Sequence, residues 1–176
     1  MSERPYHKYV FDIENRKFIG KFEEMYNHEE IESYDSWFQE DLRHLTYQIS
    51  FVLLNRYNFS KILDIGCGKG TFTHLLKKEN NFVKGMDISE TAIKKAKAKY
   101  PDIEFEVGTA ENLEGEEKFD LVILMEILSY LKKWKEVIKK VAQITTNYIY
   151  ITLFTFKSYW FCKNTRGVKK RGVQVF

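Results

Sequence analysis

The feature that most constrains the fold is an alternation of strand-like and helix-like segments that begins at Lys61. Apolar runs of strand length occur at 61–66, 82–87, 103–107, 119–125 and 147–154, and helix-like segments occur at 71–79, 89–99 and about 130–144. Nearly continuous apolar strands that alternate with amphipathic helices are typical of a parallel sheet with helices on both faces. We therefore predict a doubly wound, mostly parallel α/β core over residues 61–154.

A glycine-rich loop follows the first predicted strand. In KILDIGCGKG, residues 61–70, three glycines stand at alternate positions just before a helix-like segment. Glycine permits positive φ and removes the Cβ atom that would keep a ligand away from the backbone. In open parallel sheets, ligands bind beyond the carboxyl ends of the strands, where the next helix presents free N–H groups. The loop is therefore predicted to bind a ligand.

Two carboxylates flank the loop and favour a cationic nucleoside. Asp64 precedes Gly66 by two positions, and Asp87 ends the second strand, 21 residues beyond Gly66. Asp87 can accept hydrogen bonds from both hydroxyls of a ribose, whereas Asp64 would repel a pyrophosphate. The dinucleotide pattern G-x-G-x-x-G also fails, because Thr71 occupies its last position. S-adenosylmethionine, a nucleoside with a positively charged amino-acid arm, fits both acids.

The motifs ILDIGCGKG, GMDIS, FEVGTAENL and FDLVILMEIL together resemble those of class I S-adenosylmethionine-dependent methyltransferases, over about residues 60–153. The nearest types are the nodulation-methyltransferase-like and the sugar- or capsule-modifying small-molecule enzymes. The resemblance implies a Rossmann-like fold and S-adenosylmethionine as the cofactor. The contacts that it implies are Asp64, Gly66, Cys67 and Gly68 around the methionine moiety, Asp87 on the ribose, Ile88, Ala110 and Glu111 near the adenine, and Met125 beside the methyl group.

The acceptor side of the reaction is less constrained by the sequence. Methyl transfer requires an aligned acceptor and exclusion of water, and a hydroxyl acceptor gains from a general base. Glu126, just after the fourth strand, and His44 are the candidates for that base, and Tyr130 is the candidate for orienting the acceptor. The resemblance implies an oxygen or nitrogen acceptor on a small molecule. An RNA methyltransferase and a non-catalytic S-adenosylmethionine-binding protein remain alternatives.

Residues 1–60 are predicted to be a helical extension, or lid, on the core. A first helix contains Phe22, Met25 and Tyr26, with Phe18 at the same spacing, and a second helix starts near Ser36. The apolar face of the second helix comprises Phe38, Leu42, Leu45, Ile49, Val52 and Leu53. Beside it lies a stripe of Trp37, Asp41, His44 and Gln48, which is either a solvent-facing side or a lid over the cofactor. Trp37 is the cofactor-binding candidate of this stripe.

Residues 155–176 form a basic segment that differs from the core. Six Lys or Arg and no acid stand between Lys157 and the C-terminus, and this segment does not provide the closing strands that the resemblance implies. We expect an incomplete sheet edge that allows a homodimer. The tail is the basis of the RNA alternative, although the acidic body makes nucleic acid an unlikely partner.

Cysteine usage and hydropathy indicate the cellular setting. Only Cys67 and Cys162 occur, without a CxxC pair, which disfavours a disulfide framework and a zinc knuckle, so no metal is predicted. The N-terminal residues lack an apolar signal core, and no run reaches membrane-spanning length. The sequence therefore predicts a reduced, cytoplasmic protein with no membrane partner.

Overall fold

The computed structural model, which describes residues 5–12, 14–15, 17–114, 116–153 and 174–175, begins with a small helical and hairpin region. The region comprises α1 (His7–Val10), β1 (Phe11–Asp12), β2 (Lys17–Phe18), α2 (Phe22–Glu32), a 3-10 turn (Ser36–Phe38) and α3 (Leu45–Leu54). The prediction of a first helix is confirmed by α2. It was wrong for Phe18, which pairs with Phe11 in an antiparallel hairpin.

The core of the fold is a parallel sheet. Its strands are β3 (Lys61–Ile65), β4 (Phe82–Asp87), β5 (Glu104–Val107), β6 (Phe119–Met125), β7 (Thr145–Thr152) and β8 (Gln174–Val175). They lie in the order β5-β4-β3-β6-β7-β8, and each neighbouring pair runs parallel. The predicted Rossmann-like, doubly wound fold is confirmed. The predicted basic segment, except for β8, lies outside the described residues.

Helices cover both faces of the sheet. They are α4 (Thr71–Leu75), α5 (Glu90–Lys99) and α6 (Trp134–Ile144), and two 3-10 turns lie at Ala110–Asn112 and Leu128–Tyr130. Alternate residues of a strand point to opposite faces: Val122 and Leu124 of β6 pack in the cluster that contains α6. Leu121 and Ile123 pack in the cluster that contains Phe72 of α4. Helices on both faces keep Phe119 and residues 121–124 of β6 buried.

The N-terminal region packs against α5. Tyr6, Val10, Met25 and Tyr26 are buried in one cluster with Ala92 of that helix. The Ser89 hydroxyl caps α5 by accepting a hydrogen bond from the Ala92 N–H, 3.1 Å away. Glu23 of α2 in turn accepts a hydrogen bond from the Ser89 hydroxyl at 2.5 Å. The N-terminal region is therefore joined to the core by apolar packing and by a shared helix cap.

The second N-terminal helix is shorter than predicted, and its apolar face is not buried. Residues 39–44 form turns, and α3 begins only at Leu45. The residues assigned to the buried face are exposed: Phe38, Leu42, Leu45, Ile49, Val52 and Leu53. The packed face of α3 is instead the one that carries Ser50 and Leu54, and the Tyr150 hydroxyl of β7 donates a hydrogen bond to Ser50 Oγ at 2.8 Å. Contact with β7 thus orients this helix.

Within the part of the chain that is described, no helix combines the length and the hydropathy needed to cross a membrane.

Candidate functional site

The loop after β3 has a backbone conformation that favours glycine. Gly66, Gly68 and Gly70 have φ values of 78°, 54° and 76°, which place them in the left-handed region that L side chains rarely adopt. Their missing Cβ atoms also leave space for side chains of this chain. A Cβ on Gly66 would overlap Ile127, and one on Gly68 would overlap the amide of Gln39. These two glycines therefore also allow side chains of this chain to pack against the loop, and their contact with a ligand stays a prediction.

A cavity of about 330 Å³ lies at the carboxyl ends of β3, β4 and β6, beneath the N-terminal region. Its volume is within the range of about 300–1,000 Å³ that is usual for small-molecule sites. Twelve of the thirteen site residues predicted from the sequence line it: Trp37, His44, Asp64, Gly66, Cys67, Asp87, Ile88, Ala110, Glu111, Met125, Glu126 and Tyr130. The thirteenth, Gly68, does not line the cavity. The structure therefore brings these residues together, while their individual roles remain predictions.

Asp87 is a buried carboxylate that organises the glycine loop. Its Oδ2 accepts a hydrogen bond from the Gly68 N–H at 2.8 Å, and its Oδ1 accepts one from the Ser89 N–H at 2.9 Å. Burial raises its pKa, and the backbone N–H groups partly oppose that rise. Each carboxylate oxygen can accept a second hydrogen bond. Asp87 can thus hold the loop and still accept hydrogen bonds from two hydroxyls of a ligand.

Asp64 is a second buried carboxylate in the cavity, near the end of β3. Its Oδ2 accepts a hydrogen bond from the Thr73 hydroxyl at 2.7 Å. Burial raises the pKa of this carboxyl group to about 7; the Thr73 hydroxyl opposes the rise and the negative charge of Asp87 adds to it. A cationic ligand would reverse this effect, because it favours the ionised carboxylate. The pair of acids therefore gives the cavity a preference for positive charge.

Aromatic side chains form the wall opposite the strands. Tyr130 stacks on Phe18, with ring centroids 5.6 Å apart, and meets Phe22 edge-on at 5.5 Å. The ring centroid of Trp37 lies 5.8 Å from that of Tyr130 and 5.0 Å from that of Tyr6. Burial raises the pKa of the Tyr130 hydroxyl, and the charge of Glu126 raises it further. Tyr130 is therefore neutral at physiological pH and can donate a hydrogen bond.

Glu126 lies at the end of β6 in a strained conformation. Its φ is 60°, which is uncommon for a residue other than glycine. Its N–H donates a hydrogen bond to the Thr152 carbonyl at 3.0 Å, and its Oε1 accepts one from the Thr46 hydroxyl at 3.2 Å. The backbone strain and the Thr46 contact hold this carboxylate at the cavity, where His44 also lies.

The prediction that one helix carries Trp37, Asp41, His44 and Gln48 as a stripe was wrong. A 3-10 turn, a segment of turns and the start of α3 replace that helix. Trp37 is in a 3-10 turn with φ 61°, and His44 precedes α3. Both residues nevertheless line the cavity. Asp41 pairs instead with Arg43, with Oδ1 2.8 Å from Nε. The position of Trp37 and His44 at the cavity follows from the turns and not from a helical face.

Several lining residues were not predicted from the sequence. Tyr26, Gln39, Thr46 and Tyr47 reach the cavity from the N-terminal region. Gln39 donates through Nε2 to the Tyr26 hydroxyl at 2.7 Å and accepts through Oε1 from the Lys69 N–H at 2.8 Å. Only Tyr26 had a sequence signal, as a residue on the buried side of α2. The other three residues lie in a turn or at a helix start, where periodicity gives no information.

A methyltransferase-domain family model matches residues 62–147. This segment is a methyltransferase domain. The match contains the glycine loop, both buried acids, and the two strands that follow them. The resemblance inferred from the motifs is thereby confirmed at the level of the domain.

Curated relatives match the same part of the chain. The chain is 35% identical over 118 residues to a protein of Geobacillus sp. (strain WCH70) that is named as a methyltransferase, with 60% of this chain and 48% of the relative covered. It is 35% identical over 85 residues to the ubiquinone biosynthesis O-methyltransferase of Bartonella tribocorum, with 46% of this chain and 34% of the relative covered. The chain thus spans less than half the length of these relatives.

Solved structures share the fold. The plantazolicin methyltransferase BpumL, solved in complex with a pentazolic desmethylPZN analog and SAH, superposes with a TM-score of 0.59 at 20% identity, and the match covers 78% of this chain and 57% of BpumL. The PH0226 protein of Pyrococcus horikoshii OT3 superposes with a TM-score of 0.51 at 27% identity, and the match covers 64% of this chain and 57% of PH0226. These likenesses show that the chain shares the fold of these proteins.

Proposed function

We propose that this chain transfers a methyl group from S-adenosylmethionine to an oxygen or nitrogen atom of a small-molecule acceptor. The observation that carries the proposal is the pair of buried carboxylates, Asp64 and Asp87, which line one cavity beside the glycine loop of a methyltransferase domain. The CalS10 amino pentose methyltransferase from Micromonospora echinaspora, solved with bound SAM, has the same fold with a TM-score of 0.52.

The residues of the cavity fit this cofactor. Asp87 has hydrogen-bond capacity left for two ribose hydroxyls, and Asp64 provides negative charge for an ammonium group. Ile88 is more than half exposed although it lines the cavity, and it offers an apolar surface to the adenine ring, next to Ala110 and Glu111. Met125 ends β6 beside the methionine end. When bound, S-adenosylmethionine supplies a methyl group on a positively charged sulfur, which is a good leaving group.

The acceptor would enter between the aromatic wall and Glu126. Glu126 or His44 would remove the proton that the acceptor loses, and the neutral Tyr130 hydroxyl would orient the acceptor atom. Trp37 and the N-terminal region would exclude water from the reacting atoms. This arrangement gives residues 1–60 the role of a lid and residues 61–154 the role of the cofactor-binding core.

The test is a calorimetric titration of the whole chain with S-adenosylmethionine and with its demethylated product, S-adenosylhomocysteine (SAH). Asp87→Ala is expected to weaken binding about tenfold or more, which corresponds to about 1.4 kcal/mol. Asp102→Ala, at an exposed position outside the cavity, is the matched control and should bind as the wild type does. Formation of SAH with pools of phenols, amines and sugars then tests transfer. A folded wild-type protein that binds neither compound would refute the proposal.

A further inference from the structure

The glycine loop carries a buried lysine that faces the N-terminal region and not the cavity. The sequence suggests a solvated side chain for Lys69, but only 7% of it is exposed. Its ammonium group lies 2.7 Å from Asp35 Oδ1, 3.2 Å from Glu29 Oε1 and 3.8 Å from Glu40 Oε1. Burial of a lysine is costly unless its charge is paired. All three partners belong to the N-terminal region.

The Lys69 contacts converge on the turn formed by residues 35–39. The Lys69 N–H donates a hydrogen bond to the Gln39 side chain at 2.8 Å, so both the backbone and the ammonium group of this residue hold the turn. Glu29, which lies 3.2 Å from the ammonium group, also accepts a hydrogen bond from the Ser36 N–H at 2.9 Å. Lys69 thereby fixes the turn to the glycine loop at Asp35 and at Gln39, and Glu29 of α2 links Ser36 to the same ammonium group.

The turn requires such support because the backbone conformation of two of its residues is energetically unfavourable. Trp37 and Phe38 have φ values of 61° and 54°, and two consecutive residues other than glycine seldom adopt this region. Strained conformations persist only where the surroundings enforce them. Trp37 is the residue of this turn that forms part of the aromatic wall of the cavity.

We propose that Lys69 is a positioning residue that binds the 35–39 turn across the glycine loop and thereby holds Trp37 against the cofactor cavity. Lys69 does not line the cavity; it acts through Asp35, Glu29 and Gln39. The affinity for the cofactor then depends on an ion-pair network on the far side of the glycine loop. This inference rests on the proposed function for the identity of the ligand, but the restraint on the turn does not.

Lys69→Met, which keeps the length of the side chain and removes its charge, tests this role in the whole chain. The matched control is Lys84→Met. Lys84 is also mostly buried, and it is paired with two acids, Glu104 at 3.0 Å and Glu106 at 2.8 Å, but it lies on the β4–β5 side of the sheet outside the cavity. Both changes remove a paired lysine, so a loss of global stability alone would affect both variants.

Two measurements separate positioning from general stability. Hydrogen exchange of the backbone amides of residues 35–40 should accelerate in Lys69→Met and not in Lys84→Met, without any ligand. The SAH dissociation constant should rise about tenfold or more in Lys69→Met, equivalent to about 1.4 kcal/mol, and Lys69→Arg should recover part of the loss. Unchanged exchange and unchanged SAH affinity in Lys69→Met, or equal losses in Lys84→Met, would overturn the inference.

A second variant covers the case in which Lys69→Met does not fold. Asp35→Asn leaves Lys69 in place with Glu29 and removes the negative charge of its nearest partner, whose side chain is 28% exposed. It should show the same two effects to a smaller extent, and unchanged exchange at residues 35–40 would count against the role of Lys69. If the wild type does not bind SAH, the proposed function fails, whereas the exchange measurement still decides whether Lys69 restrains the turn.

Discussion

The pKa of Asp64 makes cofactor binding depend on pH in a way that can be calculated. In the ligand-free chain, burial raises this pKa to about 7. An ammonium group in the cavity favours the ionised carboxylate, so binding lowers the pKa and releases a proton below pH 7. The affinity for S-adenosylmethionine should therefore rise with pH and level off above about 7. Between pH 5 and pH 8 the expected change is about 100-fold, or about 2.7 kcal/mol at 1.36 kcal/mol per pH unit.

The assay is calorimetric titration at pH 5, 6, 7 and 8, repeated in buffers of different ionisation enthalpy to count the protons released. At pH 6 the count should be about 0.9 per ligand, because a group with a pKa near 7 is then mostly protonated. Asp64→Asn imitates the protonated form and should bind at every pH about as weakly as the wild type does at pH 5. A wild-type affinity that does not change with pH, or the same slope in Asp64→Asn, would refute the reasoning.

Three other results follow from the same structure. Since the folded-state pKa of Asp64 exceeds the unfolded value, the ligand-free chain should lose up to about 4 kcal/mol of unfolding free energy between pH 4 and 7, and chemical denaturation of Asp64→Asn should show less loss. Glu126→Gln should lower turnover about 10²-fold or more while the SAH affinity, measured by calorimetry, stays unchanged. Gly66→Ala should cost about 2 kcal/mol of stability in urea, whereas Gly108→Ala, which meets only the flexible Met86 at 3.1 Å, should cost less.

The α/β core could be predicted because its signals are local. Each predicted strand is an apolar run, and α5 follows a capping residue, Ser89. The positions of Asp64 and Asp87 follow from the rule that parallel strands end at the same edge of the sheet. For this reason the cavity contains nearly all the predicted cofactor residues, although the pattern alone cannot test what each one does.

The N-terminal region could not be predicted to the same depth, because its structure depends on distant contacts. Apolar residues from Phe38 to Leu53 have helical spacing, yet turns interrupt the segment, and the side chains at those positions are exposed. The residue types at positions 37 and 38 do not indicate the positive φ values of Trp37 and Phe38. Lys69 resembles a surface lysine until Glu29 and Asp35, more than thirty positions earlier, are placed beside it.

The strand order explains why the cavity needs a cover from outside the sheet. The chain leaves β3 towards β4 and later returns to pair β6 on the other side of β3, so the connections diverge and open a crevice at the end of β3. One side of that crevice provides Asp87, and the other provides Glu126 and Ile127. The connection between β3 and β4 lies on one face, and it cannot close a crevice that spans both neighbours. We propose that the 35–39 turn provides this cover, and the structure places a lysine of the glycine loop, and not a residue of the sheet, in contact with that turn.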